Sequence, residues 1–185
     1  SGARPRARRA PMNSLAAIAV LLALPRVTAQ CAPGTVAFSE HVITTLADDG
    51  QSVFAVDVDG DGDADILTAS NYDDTVAWYE NDGSQSFAEN VLTNSANGAN
   101  FVFAADVDGD ADVDVLASAG QDNSVTWFEN DGSGGFTGNE ITASDTFVTY
   151  VFAADVDGDG DVDVLSAAYS GETVKRFEND GSGGF

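Results

Sequence analysis

From residue 53 onward, short apolar runs alternate with clusters of Asp, Asn and Gly, and the alternation returns at a fixed step of 49 residues. "VFAVDVDGDGDADIL" (53–67) is matched by "VFAADVDGDADVDVL" (102–116) and "VFAADVDGDGDVDVL" (151–165). "VAWYENDGS" (76–84), "VTWFENDGS" (125–133) and "VKRFENDGS" (174–182) keep the same step, as do Phe38, Phe87, Phe136 and Phe185. Three units of 49 residues therefore fill 38–185 without insertion. Self-similarity at such a period marks a repeat architecture. Within the first unit, residues 53–56, 65–70, 75–80 and 87–93 are rich in Val, Ile, Phe, Tyr and Trp and read as four strands. "NDGS" between the third and fourth is a hairpin signal, because Asp-Gly tolerates positive φ. No segment carries sustained helical periodicity.

Four short strands per repeat predict an all-β chain of four-stranded antiparallel β-propeller blades. Residues 38–44 ("FSEHVIT") align with the fourth strand "FAENVLT" (87–93), and the third unit stops at Phe185, where its own fourth strand would begin. In a closed propeller an N-terminal strand of this kind completes the last blade. Closure takes roughly 4–8 blades, so the sequence predicts three blades of a larger propeller, with the remaining blades expected in the full-length chain.

Charge adds the next constraint. The chain has 7 Lys and Arg against 31 Asp and Glu, a net charge of −24. Arg4, Arg6, Arg8, Arg9 and Arg26 all precede the first acid, Glu40, so the repeats hold only Lys175 and Arg176 as basic residues. Such a surface excludes nucleic acid, which needs cations to meet phosphate, and docking on anionic membranes. Divalent cations are its natural partners. Ahead of the repeats, Arg-rich residues precede "LAAIAVLLAL" (15–24), and Val27 and Ala29 fit a small-residue cleavage pattern. That run is about ten residues, where roughly 20 are needed to span a bilayer. Residues 1–29 are read as a secretory signal region, 30–37 as a short linker, and the mature chain as secreted, with no membrane insertion after cleavage. A start at Met12 is the alternative, and it would leave the apolar run intact. Cys31 is the sole cysteine, which excludes an internal disulfide framework and a Cys-rich zinc site; "TAQC" is a poor lipoprotein box.

The candidate chemistry lies in residues 57–65, "DVDGDGDAD". On a strand these alternate carboxylates would share one face and repel; folded around a cation they become ligands. Ca²⁺ takes about 6–8 oxygens at about 2.3–2.6 Å. Asp57, Asp59, Asp61 and Asp65 are the expected side-chain ligands, with Asp63 offering its carbonyl. Asp106, Asp108, Asp110 and Asp114, with Asp112, repeat the set, as do Asp155, Asp157, Asp159 and Asp163, with Asp161. An EF-hand would need a bidentate Glu at the twelfth position, where Thr68, Ala117 and Ser166 stand. Oxygen-only donors argue against transition metals, and Mg²⁺ prefers a tighter shell with several waters. Ala111 replaces the glycine found at Gly62 and Gly160. If that position needs positive φ, alanine costs about 1 kcal/mol, and the second site is expected to be the weaker.

The D-x-D-G-D-G-x-x-D loop between two apolar strands, with "W-[YF]-E-N-D-G" downstream, resembles the FG-GAP/VCBS repeat family over 38–185. The resemblance implies a seven-bladed propeller with Ca²⁺ in the loop joining the first two strands of a blade. It implies roles as adhesion modules or as non-catalytic domains attached to enzymes. The namesake "FG…GAP" tripeptides are absent, with "VFAAD" in their place, which favours the VCBS-like branch over integrin-type ligand binding.

Catalytic constellations are lacking. His41 is the only histidine, and Asn90 and Asn139 stand at its equivalent positions, as suits a surface strand residue. "DGSGG" lacks the Lys-Ser/Thr of a phosphate-binding loop. Tyr79, Phe128 and Phe177 are aromatic in every unit and predict a core face between blades. Trp78 and Trp127 align with Arg176 and are expected to be partly exposed, packing at blade edges by default or stacking on a sugar or partner. The sequence thus predicts a secreted calcium-binding scaffold for an extracellular protein or carbohydrate ligand, and no enzyme. The alternative is a non-catalytic or partial propeller domain of a secreted polysaccharide lyase or hydrolase.

Overall fold

The computed structural model describes residues 37–181 and 183–185; the apolar N-terminal run and its cleavage site lie outside them. The chain divides into two units, Ser1–Val42 and Ile43–Phe185. Of the first, residues 37–42 carry neither helix nor strand. The second holds the repeats, each folded as one antiparallel sheet. The first blade is β1 (Gly50–Val56), β2 (Asp65–Ser70), β3 (Thr75–Asn81) and β4 (Phe87–Thr93). The second is β5 (Ala99–Ala105), β6 (Asp114–Ala119), β7 (Ser124–Asn130) and β8 (Phe136–Thr142). The third is β9 (Val148–Ala154), β10 (Asp163–Ala168) and β11 (Thr173–Phe177), three strands as the sequence predicts. Strands pair in chain order within each sheet, which is the meander of a propeller blade. No helix among the described residues is long and apolar enough to cross a membrane.

Residues 38–44, expected as a strand, are not one. An outer strand such as β4 is held by its ladder to β3. Residues 38–44 have no ladder partner among the described residues, and a lone strand does not hold its shape in water.

The first blade packs face to face on the second and the second on the third, so the central strands of the first two are largely buried on both sides. Leu67, Ala69, Val76, Leu116 and Val125 are fully buried. The first inter-blade core joins Leu67, Val76 and Trp78 to Val102, Val115 and Phe128. The second joins Leu116, Val125 and Trp127 to Val148, Val151 and Val164. On the inner strands, the Phe54 and Phe103 rings lie 5.2 Å apart and those of Phe103 and Phe152 lie 4.4 Å apart. Tyr79 and Phe128 are buried and Phe177 is half-buried, in line with the predicted core face.

Trp78 and Trp127 depart from expectation: each is only 4% exposed. Trp78 meets Phe136 of the following blade edge-on at 6.0 Å, and Trp127 meets Phe185 at 6.3 Å. They are staples between blades, closed to stacking on a sugar. The aligned position accepts Arg176 because, among the described residues, no blade covers the outer face of β10 and β11. Val174 is 79% exposed there, whereas its equivalents Val76 and Val125 are fully buried.

Candidate metal centre

The acidic loops join β1 to β2, β5 to β6 and β9 to β10, the inner strand of each blade to its neighbour. Strand propensity ends where the carboxylates begin, and the loop then closes on its own backbone. Asp57 accepts the N–H groups of Gly60 and Gly62, both at 2.9 Å. Asp59 accepts that of Asp61 at 3.2 Å, and Asp61 that of Asp63 at 2.8 Å. The second and third loops repeat the pattern, with Asp106 bonded to Gly109 and Ala111 and Asp155 to Gly158 and Gly160. These turns bend like charges toward one point.

In the first loop, carboxylate oxygens of Asp57, Asp59 and Asp61 lie within 4.8 Å of one another. In the third, Asp155, Asp157 and Asp159 do the same, and in the second the trio is Asp106, Asp108 and Asp114. Asp110 stands outside the second trio, and Asp65 and Asp163 outside theirs. Asp63, Asp112 and Asp161 turn their side chains away, over the Cα atoms of Gly83, Gly132 and Gly181.

The ninth-position aspartates have a second role that the sequence pattern did not disclose. Asp65, Asp114 and Asp163 are buried, at 0%, 0% and 1% exposure. Asp65 accepts the N–H groups of Val58 at 3.0 Å and Asn81 at 2.7 Å. Asp114 accepts those of Val107 at 3.0 Å and Asn130 at 2.8 Å, and Asp163 those of Val156 at 3.1 Å and Asn179 at 3.2 Å. Each carboxylate ties its loop to the end of the third strand.

The Asn of "E-N-D-G" was also missed as a functional position. Asn130 donates from Nδ2 to the carbonyls of Val113 at 3.0 Å and of Val58, in the preceding blade's loop, at 3.1 Å. Asn179 does likewise with Val162 at 3.0 Å and Val107 at 2.7 Å. Its recurrence in "END" at every unit was the available signal. The first and second acidic loops are thereby each pinned to the following blade.

Crowding and burial set the electrostatics. Desolvation, helped by neighbouring carboxylates, pushes Asp59 and Asp108 above the usual carboxylate range. Desolvation pushes Asp114 up to about 6, although two backbone N–H groups oppose it. The third loop runs the other way: hydrogen bonds from Arg176 hold Asp157 and Asp163 low. The donors in all three trios are carboxylate oxygens. A hard cation accepts that set and relieves its repulsion; a thiophilic metal does not.

Ala111 has φ 80°, beside 97° and 103° at Gly62 and Gly160. The left-handed backbone is therefore required, and alanine adopts it at a cost. The strain is present in the folded loop before any ion arrives, so it weighs on the folding of the second blade. Ala111→Gly is expected to raise stability by about 0.5–1 kcal/mol in urea unfolding, the relief of strain exceeding the entropy of glycine. A variant less stable than wild type would refute this.

Fold and loops together define a repeat protein built from propeller blades, each carrying an acidic loop at the same place. Residues 57–117 and again 113–166 match the FG-GAP-like repeat, more than half of the chain, and the chain belongs to that family. Among solved structures, it is similar to a lectin from Agrocybe aegerita described for specific recognition of non-reducing terminal N-acetylglucosamine. The two are 19% identical with a TM-score of 0.55, over 84% of this chain and 44% of that one. This likeness establishes the shared fold, and the chain spans less than half of the lectin's length. No curated protein matches the chain.

Proposed function

We propose that this chain is part of a secreted propeller scaffold that binds Ca²⁺ in its acidic loops and serves extracellular recognition rather than catalysis. The supporting observation is the recurrence of a three-carboxylate, oxygen-only cluster at the same turn of every blade. In the first loop Asp57, Asp59 and Asp61 would hold the ion, with Asp63 through its carbonyl and Asp65 at the rear. Asp106, Asp108, Asp110, Asp112 and Asp114 would do so in the second, and Asp155, Asp157, Asp159, Asp161 and Asp163 in the third. The ion is structural in this reading: it offsets the repulsion of the loop and so holds two adjoining strands in register.

A carbohydrate is the favoured partner class, on the likeness to a saccharide-recognising lectin. A cleft of about 490 Å³ between the end of β4 and the face of the second blade offers the hydroxyls of Thr93, Ser124 and Thr126 and the carboxylates of Asp122 and Glu140.

The test is thermal melting with EDTA and then with added calcium. Free calcium at about a hundredfold over Kd adds about 2.7 kcal/mol for each filled site, so the melting temperature rises by several degrees. A melt indifferent to both reagents would end the calcium reading.

A further inference from the structure

Only two basic side chains lie within the repeats, and they are neighbours on β11. Lys175 pairs with buried Asp145. Arg176 reaches into the third acidic loop. Its Nε donates to Asp163 Oδ2 at 2.9 Å, and its Nη2 donates to Asp163 Oδ1 at 3.1 Å and to Asp157. One guanidinium thus spans the third and ninth loop positions, with Glu178 a further 3.8 Å from the same nitrogen. In the other two repeats the aligned residue is Trp78 or Trp127, a buried indole that carries no charge. Among the described residues, no cationic side chain pairs with the first two loops.

We propose that Arg176 is the resident counter-cation of the third loop and competes there with the metal ion for Asp157 and Asp163. This rests on the calcium reading above. A divalent ion entering the third loop must first displace a forked guanidinium from Asp157 and Asp163, and forked, charge-assisted pairs are the strong ones. The first two loops impose no such competition. The three repeats are therefore unequal. Two blades depend on calcium, and the third carries its own charge compensation.

Equilibrium dialysis of the full chain against calcium chloride tests this. Wild type is expected to fill two sites, with the third at least about tenfold weaker. Arg176→Gln is expected to bring the third site level with the others while lowering the melting temperature in EDTA. Arg176→Lys keeps the charge and loses the fork, and its third site is expected to fall between those two. It also guards against a folding defect in the glutamine variant. Three equal sites in wild type, or a third-site affinity unmoved in both variants, would overturn the role of Arg176 and leave the calcium reading standing. No calcium uptake by any of the proteins would overturn both.

Discussion

Asp114→Ala will lower the stability of the metal-free protein by about 3–5 kcal/mol in urea, far more than substitution of an exposed aspartate in the same kind of loop. Asp114 is fully buried and accepts the N–H groups of Val107 and Asn130. Removing the carboxylate strands both donors, and each buried unsatisfied group costs about 1–3 kcal/mol. The void and the loosened loop add to that. Asp61, by contrast, is exposed and accepts one N–H from Asp63, so Asp61→Ala is worth about 1 kcal/mol at most. Equal effects at the two positions would mean that Asp114 is only a ligand, with no structural duty.

The pH profile separates the charge of Asp114 from its hydrogen bonds. Its carboxyl is pushed up to about 6 by burial, from 3.8. Below the unfolded value both states are protonated and nothing is lost. Between about 4 and 6 the unfolded chain gives up its proton first, so stability falls as pH rises, by roughly 2–3 kcal/mol in all. Metal-free wild type should therefore gain stability between pH 7 and pH 5, and Asp114→Asn should lose most of that gain. Asp163 does not cancel it, since its lowered pKa contributes stability that is lost only as pH falls below 3.8. Calcium, by stabilising the charged carboxylates, should flatten the slope.

The blades were legible because their pattern is local. Apolar runs punctuated by Asp-Gly turns place β2 and β4 where the structure has them, and the constant step carries them through the chain. The clustering of loop carboxylates was legible for the same reason, as side chains at alternate positions within nine residues. What sequence could not supply was contact between repeats. Trp78 and Trp127 looked exposed by alignment with Arg176, because alignment cannot say that their faces are covered by the next blade while the third stays open. The buried bonds of Asp65 and Asp114 to the far end of β3 and β7, and the reach of Asn130 to Val58 across 72 positions, are likewise products of packing. Arg176 read as a break in a pattern; only the folded geometry turns it into the partner of Asp163.

Trp78→Ala will cost about 3–5 kcal/mol, the usual loss for a large buried aromatic, and will also divide the unfolding transition. In a repeat protein, stability is the sum of each unit's own stability and its interface with its neighbours. Trp78 is 4% exposed at the centre of the first interface, against Phe136 and beside Val102, Val115 and Phe128. Cutting it back weakens the coupling of the first blade to the second and leaves the second core, built on Trp127, untouched. The substitution also leaves Trp127 as the only tryptophan, so its fluorescence reports the second and third blades alone while far-UV circular dichroism reports all three. In wild type the two signals should coincide. In the variant, dichroism should fall at lower urea than fluorescence, because the first blade unfolds ahead of the rest. Coincident curves with a loss below about 1 kcal/mol would show that the indole is not what joins these blades, and would move that role to the aliphatic contacts around Leu67 and Val76.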